Sequence, residues 1–466
     1  MRILKKCEAT IVLLLKLFLF AALFLIFFVI FGQENPWLWH PSRTAAVTMI
    51  TFTLFGGLMI VIYGGFRIGE QKSKELARSM VLAALMTDLV THLMLCIMNT
   101  NDGNNSSFVY ENPQLLLLVF LLQIPVIVLW TYFGNFIYFT INPTEDCCVI
   151  TGAKGVGDLL PKIGRYHKRY RINQVISFSN PDVLQLIDQN DTVFLYEVPP
   201  EERAYLVEYC YAANKNIYYD FEIRDVVSLG AKATTMDDTP MVTFQVKTLT
   251  LEQRFVKRTM DLILSIIAMV ITSPLMLASA IAIKVCDGGH IIFKQKRMTK
   301  DGRVFSVYKF RTMREENCVN RSVTEDDERI TSPGKFLRKT RMDELPQIFN
   351  IIKGDMSIVG PRPEMLENVE KYTNALPEFQ YRLRVKAGLT GLAQIQGKYN
   401  TSPKDKLMMD LMYIQQYSIW QDLKLIFQTL TIFLKASEST EAFKKSPQIV
   451  KTKNEKKGEK DESESQ

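Results

Sequence analysis

Four apolar runs within the first 141 residues constrain this chain more than any other feature, because each is long enough to cross a bilayer, which takes about 20 residues. They lie near residues 11–31, 45–66, 80–98 and 115–141. Arg2, Lys5 and Lys6 precede the first run as they would a secretory leader. The Gly-Gln-Glu-Asn-Pro-Trp that follows Phe31 offers no small-x-small cleavage site, so the run reads as an anchor. Positive charge sets the expected orientation. Arg67, Lys72, Lys74 and Arg78 separate the second and third runs, only Arg43 separates the first and second, and residues 99–114 carry no Lys or Arg. Both ends of this four-span bundle are therefore expected on the cytoplasmic side. Trp37, Trp39 and Trp130 suit the interfacial belts.

Composition narrows the partners. The net charge of +7 over 466 residues suits a membrane surface or phosphate-bearing substrates. No basic stripe is interleaved with aromatics, which argues against a nucleic-acid partner. The seven cysteines are scattered, with Cys147-Cys148 the only close pair and no C-x-x-C spacing, so neither a disulfide framework nor a structural zinc site is expected. Asp88 and His92 fall four apart within the third run. Two readings stand: a functional ionisable pair, or an internal hydrogen-bonded contact that ties helices together.

After residue 142 the pattern changes to short apolar runs alternating with helical segments. Strands are expected at 147–151, 174–178, 192–198 and 216–221, and helices at 157–167, 181–189 and 199–213. This alternation describes a small parallel-sheet, Rossmann-like α/β module. Its first strand ends in Gly152-Ala153-Lys154-Gly155-Val156-Gly157, which is G-x-x-G-x-G, not the dinucleotide spacing G-x-G-x-x-G. A tight turn and a phosphate cradle are both compatible with it. The module is expected to regulate, dimerise or position the rest of the chain.

A fifth apolar segment, 261–285, differs from the other four. Ser273-Pro274 sits at its centre, where proline removes a backbone donor and clashes with the preceding turn. Its flanks are basic on both sides, with Arg254, Lys257 and Arg258 before and Lys284, Lys294, Lys296, Arg297 and Lys300 after. A spanning helix normally shows charge asymmetry. The segment is expected to be a re-entrant helix–break–helix, with a Pro-kinked span as the alternative.

Three clusters follow: Val307-Tyr308-Lys309-Phe310-Arg311-Thr312-Met313, the run from Gly334 through Arg338 to Asp343-Glu344-Leu345-Pro346-Gln347, and the run from Gly354 to Gly360-Pro361-Arg362-Pro363. In the second, Leu345, Ile348, Phe349 and Ile352 fall at helical spacing and Gly354 is a stop. Pro346 belongs in a first turn, so the helix is expected to begin near Asp343, with the helix N-terminus holding that carboxylate ionised. An ionised carboxylate can attack phosphorus, and nearby Lys and Arg would neutralise the transferring group. Two adjacent acids before a helix are also an ordinary cap and dipole partner.

The clusters in order, together with Lys257-Arg258, Ser273-Pro274, Gly388-Leu389-Thr390-Gly391-Leu392-Ala393-Gln394 and Asp410, Tyr413, Tyr417 and Asp422-Leu423, resemble the bacterial sugar transferase family, the monotopic polyprenyl-phosphate phosphoglycosyl transferases. The resemblance runs from about Phe255 to Leu434. The preceding bundle and module resemble the long subclass that starts capsule, exopolysaccharide or O-antigen repeat units.

The resemblance implies a Mg2+-dependent, two-step transfer of hexose-1-phosphate from a UDP-sugar to undecaprenyl phosphate, releasing UMP. Asp343 would be the nucleophile and Glu344 its assistant, with both near the metal. Lys309, Arg311, Arg338 and Arg362 would contact phosphate. Glucose and galactose lead as donors, ahead of N-acetylated sugars. One departure is visible: Lys386-Ala387-Gly388 has alanine where the family commonly has proline, which should alter loop stiffness only.

The expected protein is thus an inner-membrane enzyme of α plus α/β class. Residues 1–141 would be the bundle, 142–245 the module, 250–290 the re-entrant helix, 291–435 a mixed α/β catalytic domain facing the cytoplasm, and 436–466 a polar tail without a core. A homodimer is compatible with this plan. The rival readings are a non-catalytic membrane scaffold with a ligand-sensing module, and a polytopic transferase whose site lies within the spans.

Overall fold

The structure, a computed structural model, describes residues 7–64, 67–98, 108–152, 156, 159–244, 249–314, 329–397 and 401–444, without the side chains of 287 and 432–444. Most of the Gly152–Gly157 run and residues 99–107, 398–400 and 445–466 lie outside that set. The chain begins with four long apolar helices, α1 (Glu8–Glu34), α2 (Arg43–Tyr63), α3 (Ser73–Met98) and α4 (Pro113–Ile141). All four are long and apolar enough to span a membrane. Ser42 caps α2 by accepting the Ala45 N–H at 3.0 Å, and Gly64 ends it in the left-handed region. Phe27, Phe52, Met59 and Ile127 form the core where the four helices meet.

Asp88 and His92 are each 1% exposed and make separate ties. Gln123 of α4 donates to Asp88 Oδ1 at 3.3 Å. The His92 ring nitrogens meet the Tyr110 hydroxyl (3.1 Å) and the Glu111 carbonyl (2.8 Å). Both contacts join α3 to α4 or to its approach. Trp130 likewise donates to the Leu15 carbonyl of α1 at 2.8 Å.

Next come β1 (Glu145–Thr151), α5 (Leu159–Gly164), β2 (Tyr170–Ser177), α6 (Val183–Gln189), β3 (Thr192–Tyr196), α7 (Pro200–Ala212), β4 (Asn216–Tyr219) and α8 (Ile223–Ser228). The strands form one sheet in the order β2-β1-β3-β4, and every pair is parallel. Alternation along β1 explains how both faces are covered. Cys148 and Ile150 pack with Ile187, Leu206 and Cys210 on one side, and Cys147 and Val149 pack with Ile163 on the other. The hairpin β5 (Lys232–Met236) and β6 (Thr239–Thr243) follows. α8 has left this sheet's core. Its Val226 is fully buried among Phe379, Leu407 and Ile414, which belong to the C-terminal part of the chain.

The fifth apolar helix is α9 (Leu251–Asp287). Thr250 and Gln253 close a capping box at its start, and Gly288 ends it at φ 69°. The helix assignment runs through the expected break, with Pro274 inside α9. Pro274 has no N–H for the Val270 carbonyl. The Ser273 hydroxyl donates to that carbonyl at 2.8 Å, so the orphaned acceptor is satisfied by the adjacent side chain. The middle of α9 presents Val270, Ile271 and Leu277 outward, each more than 60% exposed.

Both ends of α9 are fastened to the same globular domain. That domain contains β7 (Ile292–Met298), β8 (Val304–Phe310), α10 (Ser332–Lys339), α11 (Gln347–Lys353), β9 (Ser357–Val359), α12 (Leu366–Ala375), β10 (Gly388–Thr390), α13 (Leu392–Gln396), α14 (Pro403–Gln415) and α15 (Ile419–Lys444). The helix of α15 passes residue 435, where the sequence predicts loss of order. β7 and β8 pair antiparallel, and β9 and β10 pair parallel.

At the start of α9, Lys257 Nζ reaches Asp422 Oδ2 at 2.6 Å and donates to the Val359 carbonyl at 3.0 Å. The Tyr413 hydroxyl closes the group by donating to Asp422 Oδ1 at 2.7 Å. Arg258 donates to the last carbonyls of α11, Ile351 O (2.6 Å) and Ile352 O (2.7 Å). Asp261 Oδ1 accepts from Ser357 Oγ and Ile358 N. At the other end, Ile283 packs on Phe310 and Leu337. α15 in turn touches the first four helices: the Tyr63 hydroxyl donates to Phe427 O (3.1 Å) and Gln428 Nε2 to Ile62 O (2.6 Å).

Candidate active site

The site is assembled from three elements that the sequence separates. β8 supplies Lys309. Because side chains alternate along a strand, Lys309 shares a face with Phe305 and Val307, which are buried against Ile351 and Met356. That face leads its ammonium to the acid pair. Asp343 and Glu344 sit in the 3-10 turn Met342–Glu344 between α10 and α11. The third element is the turn after β9, which carries Arg362.

The expectation that Asp343 caps a helix is corrected. α11 begins at Gln347, and no side chain caps it. The chain reverses at Arg341, which adopts φ 55° in the left-handed region. A non-glycine residue held there costs about 1–2 kcal/mol. The strain falls two residues before the acids, a placement typical of functional turns.

Glu344 and Asp343 are adjacent but differ electrostatically. Glu344 Oε1 accepts from Lys309 Nζ at 3.0 Å and from Arg362 at 2.9 Å, and its side chain is 14% exposed. Burial alone would push its pKa up, and Arg362 and Lys309 more than reverse this, holding the carboxyl well below the ordinary range. Asp343 has the opposite sign. Burial raises its pKa, Lys309 and Arg338 oppose the shift, and the neighbouring Glu344 charge adds to it. Glu344 is therefore a permanently ionised counter-ion that orients two cations. Asp343 is a carboxylate whose charge is poorly satisfied, and such a group gains when it forms a bond to an electrophile.

Of the residues singled out in the sequence, Lys309, Asp343, Glu344 and Arg362 come together directly. Arg338, in the last turn of α10, donates to Thr312 Oγ1 at 2.8 Å and acts on Asp343 through its charge. Arg311 is 5% exposed, and its Nε donates to the His290 carbonyl at 2.6 Å. Ser273 and Pro274 lie in mid-α9, away from these contacts. Ala387, at the position where the family commonly has proline, donates its N–H to Thr299 Oγ1 at 3.1 Å, a bond proline cannot make.

Three residues escaped the sequence reading as members of this region. Arg297 had no signal beyond a basic flank, Arg382 had none, and Asp410 was named only within a motif. All three bear on the turn that holds Arg362.

Cations grouped around two carboxylates suit a phosphorylated substrate whose charge must be neutralised during transfer. Among the described residues no three His, Cys, Asp or Glu side chains lie close enough to form a metal site by themselves. Asp343 and the second oxygen of Glu344 are hard donors of the kind that hold Mg2+ when phosphate and water oxygens complete the shell. The residues fit that ion as two ligands of a shared site.

Comparison with known proteins places this region. Residues 252–436 match the family model described as bacterial sugar transferase. The chain is 43% identical over 184 residues to the UDP-glucose:undecaprenyl-phosphate glucose-1-phosphate transferase of Klebsiella pneumoniae, covering 38% of this chain and 39% of that one. It is 40% identical over 185 residues to the UDP-N-acetylgalactosamine-undecaprenyl-phosphate N-acetylgalactosaminephosphotransferase of Aeromonas hydrophila, covering 39% and 44%. With a UDP-glucose:undecaprenyl-phosphate glucose-1-phosphate transferase of Caulobacter vibrioides it shares 37% identity over 185 residues, 38% of this chain and 69% of that one. The chain thus spans less than half the length of the first two relatives and more than two thirds of the third. With its acid pair and basic ring inside the matched region, the chain belongs to the bacterial sugar transferase family.

Proposed function

We propose that this protein transfers a hexose-1-phosphate from a UDP-sugar to undecaprenyl phosphate and releases UMP. The observation that carries the reading is the split between the two acids. Glu344 accepts from Lys309 and Arg362, whereas desolvation raises the pKa of the half-buried Asp343 beside it, which leaves that carboxylate ready to react.

In the first step a carboxylate oxygen of Asp343 forms a bond to the β-phosphorus. The bond from that phosphorus to the bridging oxygen breaks, and the electron pair leaves with UMP. In the second step a phosphate oxygen of the lipid attacks the same phosphorus and returns the Asp343 carboxylate. Arg362, Lys309 and Arg338 balance the charge that passes through the phosphoryl oxygens. Bound Mg2+ would supply further charge neutralisation at those oxygens.

The same reading places the reaction at the cytoplasmic face of the inner membrane, with α9 entering and leaving the same leaflet. Support comes from the attachment of both ends of α9 to one domain, through Lys257 and Arg258 at one end and Ile283 at the other. The four helices α1–α4 would anchor the chain as a transmembrane bundle, and the parallel-sheet module would lie beside the catalytic domain in the cytoplasm. Cys286, exposed near the end of α9, reports on this arrangement. With Cys7 replaced by serine, an impermeant maleimide added outside intact cells should leave Cys286 unlabelled. Labelling from outside would mean that α9 crosses.

The activity is tested by UMP release from a panel of UDP-sugars by membranes carrying wild type or Asp343→Asn. Equal release by both would exclude Asp343 as nucleophile, and the panel identifies the sugar.

A further inference from the structure

Arg362 is delivered to Glu344 by a turn that cannot secure itself. Pro361 and Pro363 flank it, so neither neighbour has an N–H to place in a ladder. The turn is anchored upstream, where Gly360 N donates to Thr390 O and Gly388 N donates to Pro361 O, both at 2.9 Å. Beyond that point its carbonyls need donors from side chains. Two arginines provide them on consecutive residues. Arg382 donates to the Arg362 carbonyl at 2.9 Å, and Arg297 donates to the Pro363 carbonyl at 3.1 Å.

Both arginines are themselves held. Arg382 is 4% exposed, and its Nε and terminal nitrogen meet Asp410 Oδ2 at 2.9 and 2.7 Å. Arg297 donates to Gln295 Oε1 at 2.6 Å. A planar guanidinium fork fixes direction as well as distance, which a lysine ammonium does not.

We infer that Arg382 and Arg297 are positioning residues for the transfer reaction, clamping the consecutive carbonyls of Arg362 and Pro363 so that the Arg362 guanidinium stays on Glu344 and faces Asp343. Asp410 sets the fork of Arg382. Neither arginine touches the transferring group; each acts through Arg362. The inference rests on the proposed function, because its readout is UMP release.

The experiment uses the full-length chain in membranes and compares Arg362→Lys, Arg382→Lys and the double variant, with kcat and KM for the UDP-sugar measured separately. Loosening a group that contacts the reacting centre should lower kcat for Arg382→Lys about 10- to 100-fold while KM changes by no more than about twofold. In the Arg362→Lys background the same change should add less than about threefold, because the group it positions is already altered. Losses that multiply in the double variant overturn the inference, as does a change confined to KM. Should Arg382→Lys fail to accumulate folded, Arg297→Lys, at a partly exposed position, carries the same cycle with the same two outcomes. A wild-type chain that releases no UMP from any UDP-sugar overturns the activity and this inference together; an active wild type with multiplying losses overturns this inference alone.

Discussion

Two regions of this chain withdraw a carboxylate from water and surround it differently. Asp88 in α3 is 1% exposed and meets the Gln123 amide; its Oδ2, with Gln123 Oε1 and Thr91 Oγ1, has no hydrogen-bond partner among the described residues. Glu344 in the C-terminal domain meets an ammonium and a guanidinium on one oxygen, with a second, less satisfied acid beside it. The first arrangement ties two helices and offers a charged ligand nothing to neutralise it. The second has more cation than one carboxylate needs, which is what a phosphorylated substrate requires. Burial of an acid is common to both, so burial does not mark the site. The surplus of fixed positive charge does.

That contrast can be broken most directly at Asp343. Asp343→Asn should lower UMP release by roughly 10³-fold or more, since the attacking oxygen is gone. Its stability should move the other way. A raised pKa in the folded state means that folding disfavours the ionised acid, so the neutral amide should melt at or above the wild-type temperature near pH 7. The acid limb of the wild-type rate should likewise lie above the ordinary aspartate value of about 3.9, because the nucleophile must be ionised. A limb at or below that value would contradict the environment described for Asp343.

Glu344→Gln should cost about 10²-fold in UMP release, and it should destabilise, leaving Lys309 and Arg362 without their counter-charge. The sign with pH is the reverse of that for Asp343. Glu344 has a depressed folded pKa, so its contribution is full above the ordinary glutamate range and is lost as pH falls towards the folded value. The difference in melting temperature between wild type and variant should therefore shrink only in strong acid. A difference that grows there would reverse the assignment.

The third expected effect is on stability. Lys257→Met strands the fully buried Asp422, and breaking a buried pair in this way costs about 3–5 kcal/mol. Denaturant melts of the full chain should show it. A neutral result would mean that Asp422 is satisfied by Tyr413 alone. The smallest effect is expected at the other member of the comparison: Asp88→Asn should leave UMP release within about twofold, as an amide keeps the contact with Gln123. A tenfold fall would join the helical region to the reaction and dissolve the contrast.

Local signals explain what could be read in advance. The apolar runs and the strands of the parallel sheet follow from spacing within a few residues, and their positions agree with α1–α4 and β1–β4. The acids, Lys309 and Arg362 were legible through ordered motifs. The departures depend on distant partners or on a single backbone reversal. Within α9, the Ser273 side chain reaches the carbonyl that Pro274 leaves without a donor. The helix expected at Asp343 starts later because Arg341 takes a left-handed turn. Arg382 meets Asp410 and the Arg362 carbonyl across 28 and 20 residues, and Arg311 turns to His290, and no local periodicity encodes such pairings.

Val226 has a consequence for how the chain is divided. It belongs by sequence to the parallel-sheet module, yet it sits fully buried among Phe379, Leu407 and Ile414. Cutting the chain ahead of α9 would uncover that socket and expose apolar surface that the matched region cannot cover by itself. Swapping the module for another would have to supply a replacement plug. The core around Phe379 and Leu407 thus takes in a residue from ahead of the segment that matches the family.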